Sequence, residues 1–84
     1  MMYTWLSFRD PDLNLNLGCT IVRASNFHEA VTKAHDLGIN PGGEVLGWKM
    51  TEQQVIAEGL EIERLYNRSE LKQMGYKNIS QENL

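Results

Sequence analysis

Apolar and polar residues alternate from Tyr3 to Arg9, the period of a β-strand. Tyr3, Trp5, Ser7 and Arg9 share one side of it, and Thr4, Leu6 and Phe8 the other. Leu6 and Phe8 mark the core side. Trp5 then stands on the opposite side beside polar Ser7 and Arg9, where it meets solvent or a partner unless a second layer covers it. Asp10-Pro11-Asp12 ends the strand, because proline cannot donate to a ladder and aspartates favour turns. A long hairpin loop holding Leu13 and Leu15 among asparagines leads to a second strand over Leu17 to Ala24, rich in β-branched Thr20, Ile21 and Val22. The pair is expected to be antiparallel.

The period changes at Asn26. Phe27, Ala30, Val31, Ala34 and Leu37 recur at helical spacing, which predicts a helix from Asn26 to Leu37. Asn26 is its N-cap, with Glu29 as capping-box partner. Gly38 supplies a left-handed end, and Ile39 packs back on the last turn. Pro41 and Gly42 suit the middle of a type II turn, where glycine provides the positive φ. Alternation resumes over Glu44 to Met50, a third strand with Leu46, Trp48 and Met50 on one side. Thr51 and Gln54 form a second capping box before a short helix running to Glu58 and Gly59. Leu60, Ile62 and Leu65 pack on the sheet. Ser69 caps a last helical turn through Met74, ended by Gly75.

The predicted fold is α+β: a small β-β-α-β sheet with one helix packed on it and C-terminal helical segments. Residues 1–76 make a single small domain, and residues 77–84 a polar, frayed tail. A chain of 84 residues buries only about 60% of its unfolded surface, so oligomerisation is a natural support for its core.

Charge and cysteine usage narrow the partners. The net charge of −3 disfavours nucleic acid, whose affinity is dominated by phosphate neutralisation. The lone Cys19 points to a reducing cytoplasm rather than a disulfide framework, and reads as a small core residue. The N-terminus lacks a signal-peptide pattern, and no apolar run is long enough to span a membrane.

Catalytic chemistry finds little support. His28 and His35 are about 10 Å apart along the helix, too far to share a metal. Asp10, Asp12 and Glu44 could converge as carboxylates for a divalent ion, although turn carboxylates more often stabilise turns. Nucleophilic triad, zinc and Walker spacings are absent from the sequence, and the glycine segment Gly38-Ile39-Asn40-Pro41-Gly42-Gly43 follows a helix instead of opening one. The chain is read as non-enzymatic, with no cofactor, no metal and no catalytic residue.

A binding constellation stands out instead. Trp5, Trp48 and Tyr66 offer flat rings, which belong to the core unless exposed. Arg9, Arg64 and Arg68 offer forked donors, and the amides of Gly42 and Gly43, flanked by Asn40 and Glu44, offer bare backbone. With Ser7, these residues fit a nucleotide-type ligand, with rings stacking on the base and donors meeting ribose or phosphate. The same residue types fit a protein interface.

Three stretches carry a resemblance: Trp5-Leu6-Ser7-Phe8-Arg9-Asp10-Pro11, then Leu17-Gly18, then Leu37 through Val45 with its Asn-Pro-Gly-Gly-Glu block. Together they resemble a group of small uncharacterised bacteriophage and prophage proteins. Tyr66-Asn67-Arg68 to Leu71 is similar as well. The resemblance implies a phage accessory protein of the bacterial cytoplasm. Such a protein would counter host defence by sequestering a nucleotide-derived immune signal, as a homo-oligomer. The alternative is an inhibitor that binds a host defence protein, or a phage assembly protein.

Overall fold

The computed structural model describes residues 2–75. The expected tail, residues 77–84, lies outside them. Three strands, β1 (Tyr3–Asp10), β2 (Leu15–Arg23) and β3 (Glu44–Met50), form an antiparallel sheet in the order β2-β1-β3. Helix α1 (Phe27–Asp36) connects the two edge strands, and short helices α2 (Glu52–Glu58) and α3 (Arg68–Gln73) follow. The α+β architecture is the expected one.

β1 lies in the middle because both of its neighbours bury it, and Tyr3 to Phe8 are buried without interruption. Its two faces serve separate cores. Leu6 and Phe8 pack with Val22, Ala24, Ala30 and Ala34 beneath α1. Tyr3 and Trp5 pack with Cys19, Ile21, Met50, Val55, Leu60, Tyr66 and Leu71 beneath the C-terminal segments. The second layer that would cover Trp5 is therefore present.

Local signals in the sequence explain most element ends. The Asn26 side chain accepts from the Glu29 amide, but the Glu29 carboxylate accepts from Ser25 Oγ, so the first capping box is half formed. At the far end Gly38 (φ 72) donates to His35 O and Ile39 donates to Ala34 O, the paired bonds of a Schellman motif. Thr51 and Gln54 form the second capping box, and Gly59 ends α2 with φ 70. The last helix differs from expectation: Asn67, not Ser69, is its N-cap. Asn67 has Glu70 three residues on, and the two exchange side-chain and backbone bonds, which Ser69 inside the helix cannot do.

β2 also starts two residues earlier than expected, at Leu15, and Leu15 belongs to the ladder rather than the loop. The register shifts between Phe8 and Arg9, so that Phe8 faces Gly18 while Arg9 faces Asn16. This irregularity lets the strand continue past Gly18 (φ 135), where alternation alone breaks.

The two sheet edges differ. Along β2, Cys19 and Tyr66 exchange both backbone bonds, Glu63 N donates to Ile21 O, and Thr20 Oγ1 donates to Arg64 O. Residues 63–66 thus close that edge. Along β3 no strand lies outside the ladder with β1 among the described residues.

Candidate functional site

The candidate ligand residues fall into separate places. Trp5 is 6% exposed and Ser7 is buried, with Ser7 Oγ accepting from Asn16 Nδ2 at 3.3 Å. Both lie in the core under the C-terminal layer, which corrects their expectation as contact residues. Tyr66 is buried too; its hydroxyl accepts from Glu61 N at 2.8 Å while its backbone closes the β2 edge. That role needs no ligand.

Two of the three arginines, Arg9 and Arg64, are occupied, and the buried Nε of Arg68 has no hydrogen-bond partner among the described residues. Arg9 donates from Nη1 to Asn14 Oδ1 at 3.1 Å and from Nη2 to Glu44 Oε2 at 3.0 Å. Arg64 lies 4.1 Å from the centre of the Tyr66 ring and pairs with Glu70. Tyr66 first, and Glu70 after it, raise the Arg64 guanidinium above its ordinary pKa. Arg68 is half-buried in the first turn of α3.

The glycine turn is built for geometry. Asn40 Oδ1 accepts from Gly42 N at 2.8 Å, a side-chain turn in front of the strand. Gly42 and Gly43 both have positive φ, 91 and 75. A Cβ on Gly43 would overlap the Arg9 carbonyl oxygen, so the residue must be glycine for β3 to reach β1. Gly43, the one glycine of the turn without a structural duty in the sequence, has one in the fold.

Among the described residues these groups do not share a cleft. Trp5 and Arg9 are four residues apart on one strand, about 13 Å. Tyr66 and Trp48 lie beyond opposite edges of the β2-β1 pair, three strand spacings or about 14 Å apart. Two surface depressions, of about 470 Å³ over α1 and about 220 Å³ beside Ala24, involve none of the candidate residues.

Trp48 is the one candidate ring on the surface, 52% exposed. It stacks on Trp5 with ring centres 6.0 Å apart and planes 20° from parallel. Trp5 thus acts as the buried floor that fixes the orientation of Trp48. Two residues along β3, Leu46 is 64% exposed on the same side. On the opposite face Phe27, 44% exposed, lies against Gly47, where a Cβ would meet its ring at 2.6 Å. Leu46 and Phe27 were not among the sequence candidates. The alternation of β3 places Leu46 beside Trp48, but only the edge position leaves both uncovered.

Catalytic and metal chemistry finds no assembled site among the described residues. His28 and His35 are exposed on α1. Asp10 Oδ1 accepts from Asp12 N and Leu13 N, and Glu44 pairs with Arg9, so those carboxylates stabilise a turn and an ion pair. No group of three or more potential metal ligands occurs among the described residues. Cys19 is a buried thiol in the core whose sulfur accepts from Asn16 Nδ2 at 3.9 Å, and no described helix is long and apolar enough to cross a membrane.

What remains among the described residues is a strand edge with no further strand beside it, flanked on both faces by apolar side chains. Comparison of the chain with protein-family models, with curated proteins and with solved structures gives no match.

Proposed function

We propose that this chain is a non-enzymatic binding module that docks an extended segment of a protein on β3. The observation that carries the reading is the union of a strand edge unpaired among the described residues with exposed Leu46 and Trp48 beside it. Strand addition draws affinity from backbone hydrogen bonds and selectivity from alternate side chains, and this edge offers both. Aromatic anchors fixed from beneath are good hot spots because little freedom remains to be lost on binding. The likeness to phage proteins supplies the setting: an accessory protein of the bacterial cytoplasm that engages a host defence factor or an assembly partner.

The nucleotide-sponge reading stands second. It needs a base-stacking ring and the glycine amides in one cleft, and Trp48 and the Gly42–Gly43 turn occupy different ends of β3.

The test places a photo-crosslinking amino acid at Leu46, and separately at Thr32 on exposed α1, in protein expressed in bacterial cells. A discrete adduct to another protein, formed at Leu46 and absent at Thr32, is expected. Identical adducts from both positions would sink the reading. So would calorimetric binding of a cyclic dinucleotide or an ADP-ribose derivative well below about 100 μM, which would restore the small-ligand alternative.

A further inference from the structure

The strand that fits the β3 edge best is β3 itself. We infer that the free protein pairs through β3 with a second copy of this chain, antiparallel, about a two-fold axis at Gly47. The inference rests on the reading of β3 as a docking edge.

Register follows from geometry. Two edges related by a two-fold axis perpendicular to the sheet keep each face matched to its own kind, so directly opposed residues must come from the same side of the strand. The axis can then lie on Leu46, Gly47 or Trp48. β3 runs from Glu44 to Met50, and only the axis at Gly47 opposes its full length with itself. In that register Leu46 faces Trp48 of the second copy, and Trp48 faces Leu46 of the second copy. Opposed side chains in an antiparallel pair come within about 5 Å, close enough for leucine to pack on the indole. Because Trp48 pairs with Trp5 and Leu46 with Ser7 inside each copy, the two sheets join in one continuous row across the boundary.

The other face agrees. Gly47 has no side chain, and Phe27 fills the space above it. At the axis the two glycines oppose each other, and the half-exposed Phe27 rings flank them from both copies.

Charge does not oppose the pairing. β3 contains one acid and one base, Glu44 and Lys49. Glu44 is neutralised by Arg9, and in this register it faces Met50, while Lys49 faces Val45, so like charges do not meet. Two of the usual guards of an edge are missing, although Lys49 is a third that is present: β3 contains no proline, and its ladder with β1 runs without a register shift from Tyr3 to Arg9. One seven-residue edge with four apolar side chains falls short of the ~800 Å² per partner of a standard interface. Dimerisation in the micromolar range follows, weak enough for a partner's strand to displace one copy.

Sedimentation of the full chain from about 1 μM to about 500 μM tests this range of association. A shift from monomer to dimer is expected, and a monomer throughout overturns the inference. The register is tested by charge. Leu46→Lys with Trp48→Lys opposes lysine to lysine in both pairs and is expected to weaken association at least tenfold. Leu46→Glu with Trp48→Lys opposes unlike charges and is expected to recover most of it. Thermal unfolding verifies that each variant is folded. As a second measurement, amide exchange of residues 45–49 in the unaltered protein is expected to slow with concentration. A dimer insensitive to the lysine pair, or one that leaves these amides unprotected, overturns the inference. If the chain is monomeric yet the Leu46 crosslinker captures another protein, the docking edge stands and self-pairing fails. If it dimerises through β3 without any such adduct, the partner is the second copy alone.

Discussion

Gly42 and Gly43 are adjacent, and both have positive φ, yet they differ in what surrounds them. Nothing lies near the position of a Cβ on Gly42, while on Gly43 it would run into the Arg9 carbonyl. Alanine at Gly42 therefore carries only the left-handed penalty, about 1–2 kcal/mol. At Gly43 it adds a steric clash at the start of the β1-β3 ladder. Urea unfolding should rank Gly43→Ala clearly below Gly42→Ala; equal losses would mean that the turn shifts freely to accommodate the methyl group. The tryptophans show the same dependence on surroundings. Trp5 and Trp48 are opposite each other in one ladder, but the first is enclosed by the C-terminal layer and the second stands at the rim.

The elements are tied together around the β2 edge. Lys33 of α1 donates to Arg23 O at 3.0 Å and pairs with Glu63 at 2.8 Å, joining the helix on one face to the segment that crosses to the other. The Lys33 hydrogen bond is the main influence on Glu63. It holds the carboxyl below its ordinary value of 4.5 against the opposing effect of burial. A carboxyl with a depressed folded pKa binds fewer protons than in the unfolded chain. Its stabilisation is thus present above 4.5 and is lost as pH falls through the folded value. The pair is partly exposed, so Glu63→Gln should cost only about 0.5 kcal/mol at pH 7. Thermal melts of the two proteins should converge as pH falls below the ordinary glutamate range. A gap that stays constant with pH would show that the ion pair is not its source. The caps act at the same scale: Asn67 with Glu70, and Thr51 with Gln54, start two helices too short to persist alone.

For the whole molecule, stability depends on the C-terminal layer as much as on α1. Leu71 is fully buried against the face that carries Trp5 and Ile21. Leu71→Ala should cost about 2–5 kcal/mol. Trp48 is already in water, so a red shift of the tryptophan emission on this substitution would report exposure of Trp5. A destabilised protein with unshifted emission would mean that the layer stays in place over Trp5. The same arrangement gives the molecule its one-sided character. The chain seals the β2 edge with its own residues 63–66 and, among the described residues, leaves β3 unsealed. The strand addition proposed above would therefore be directed to one edge.

Elements and caps were legible in the sequence because their causes are local. Alternation over Tyr3–Arg9, helical spacing after Asn26, the Thr51 box and the glycine ends all act within a few residues of one another. The Ser69 cap was misplaced because two polar candidates lay within one turn, and Glu70 decided between them. The candidate site was not legible, since exposure depends on what packs above a residue rather than on the residue itself. Alternation assigned Trp5 a side, but only the return of residues 52–75 over that side buried it. Glycine content marked Gly43 as unexplained, and only the approach of the Arg9 carbonyl accounted for it. By itself the sequence determined the strands, helices and turns of an α+β chain. Which face is covered, and which edge stays open, was decided by contacts between residues far apart in the chain, and those only the folded structure brings together.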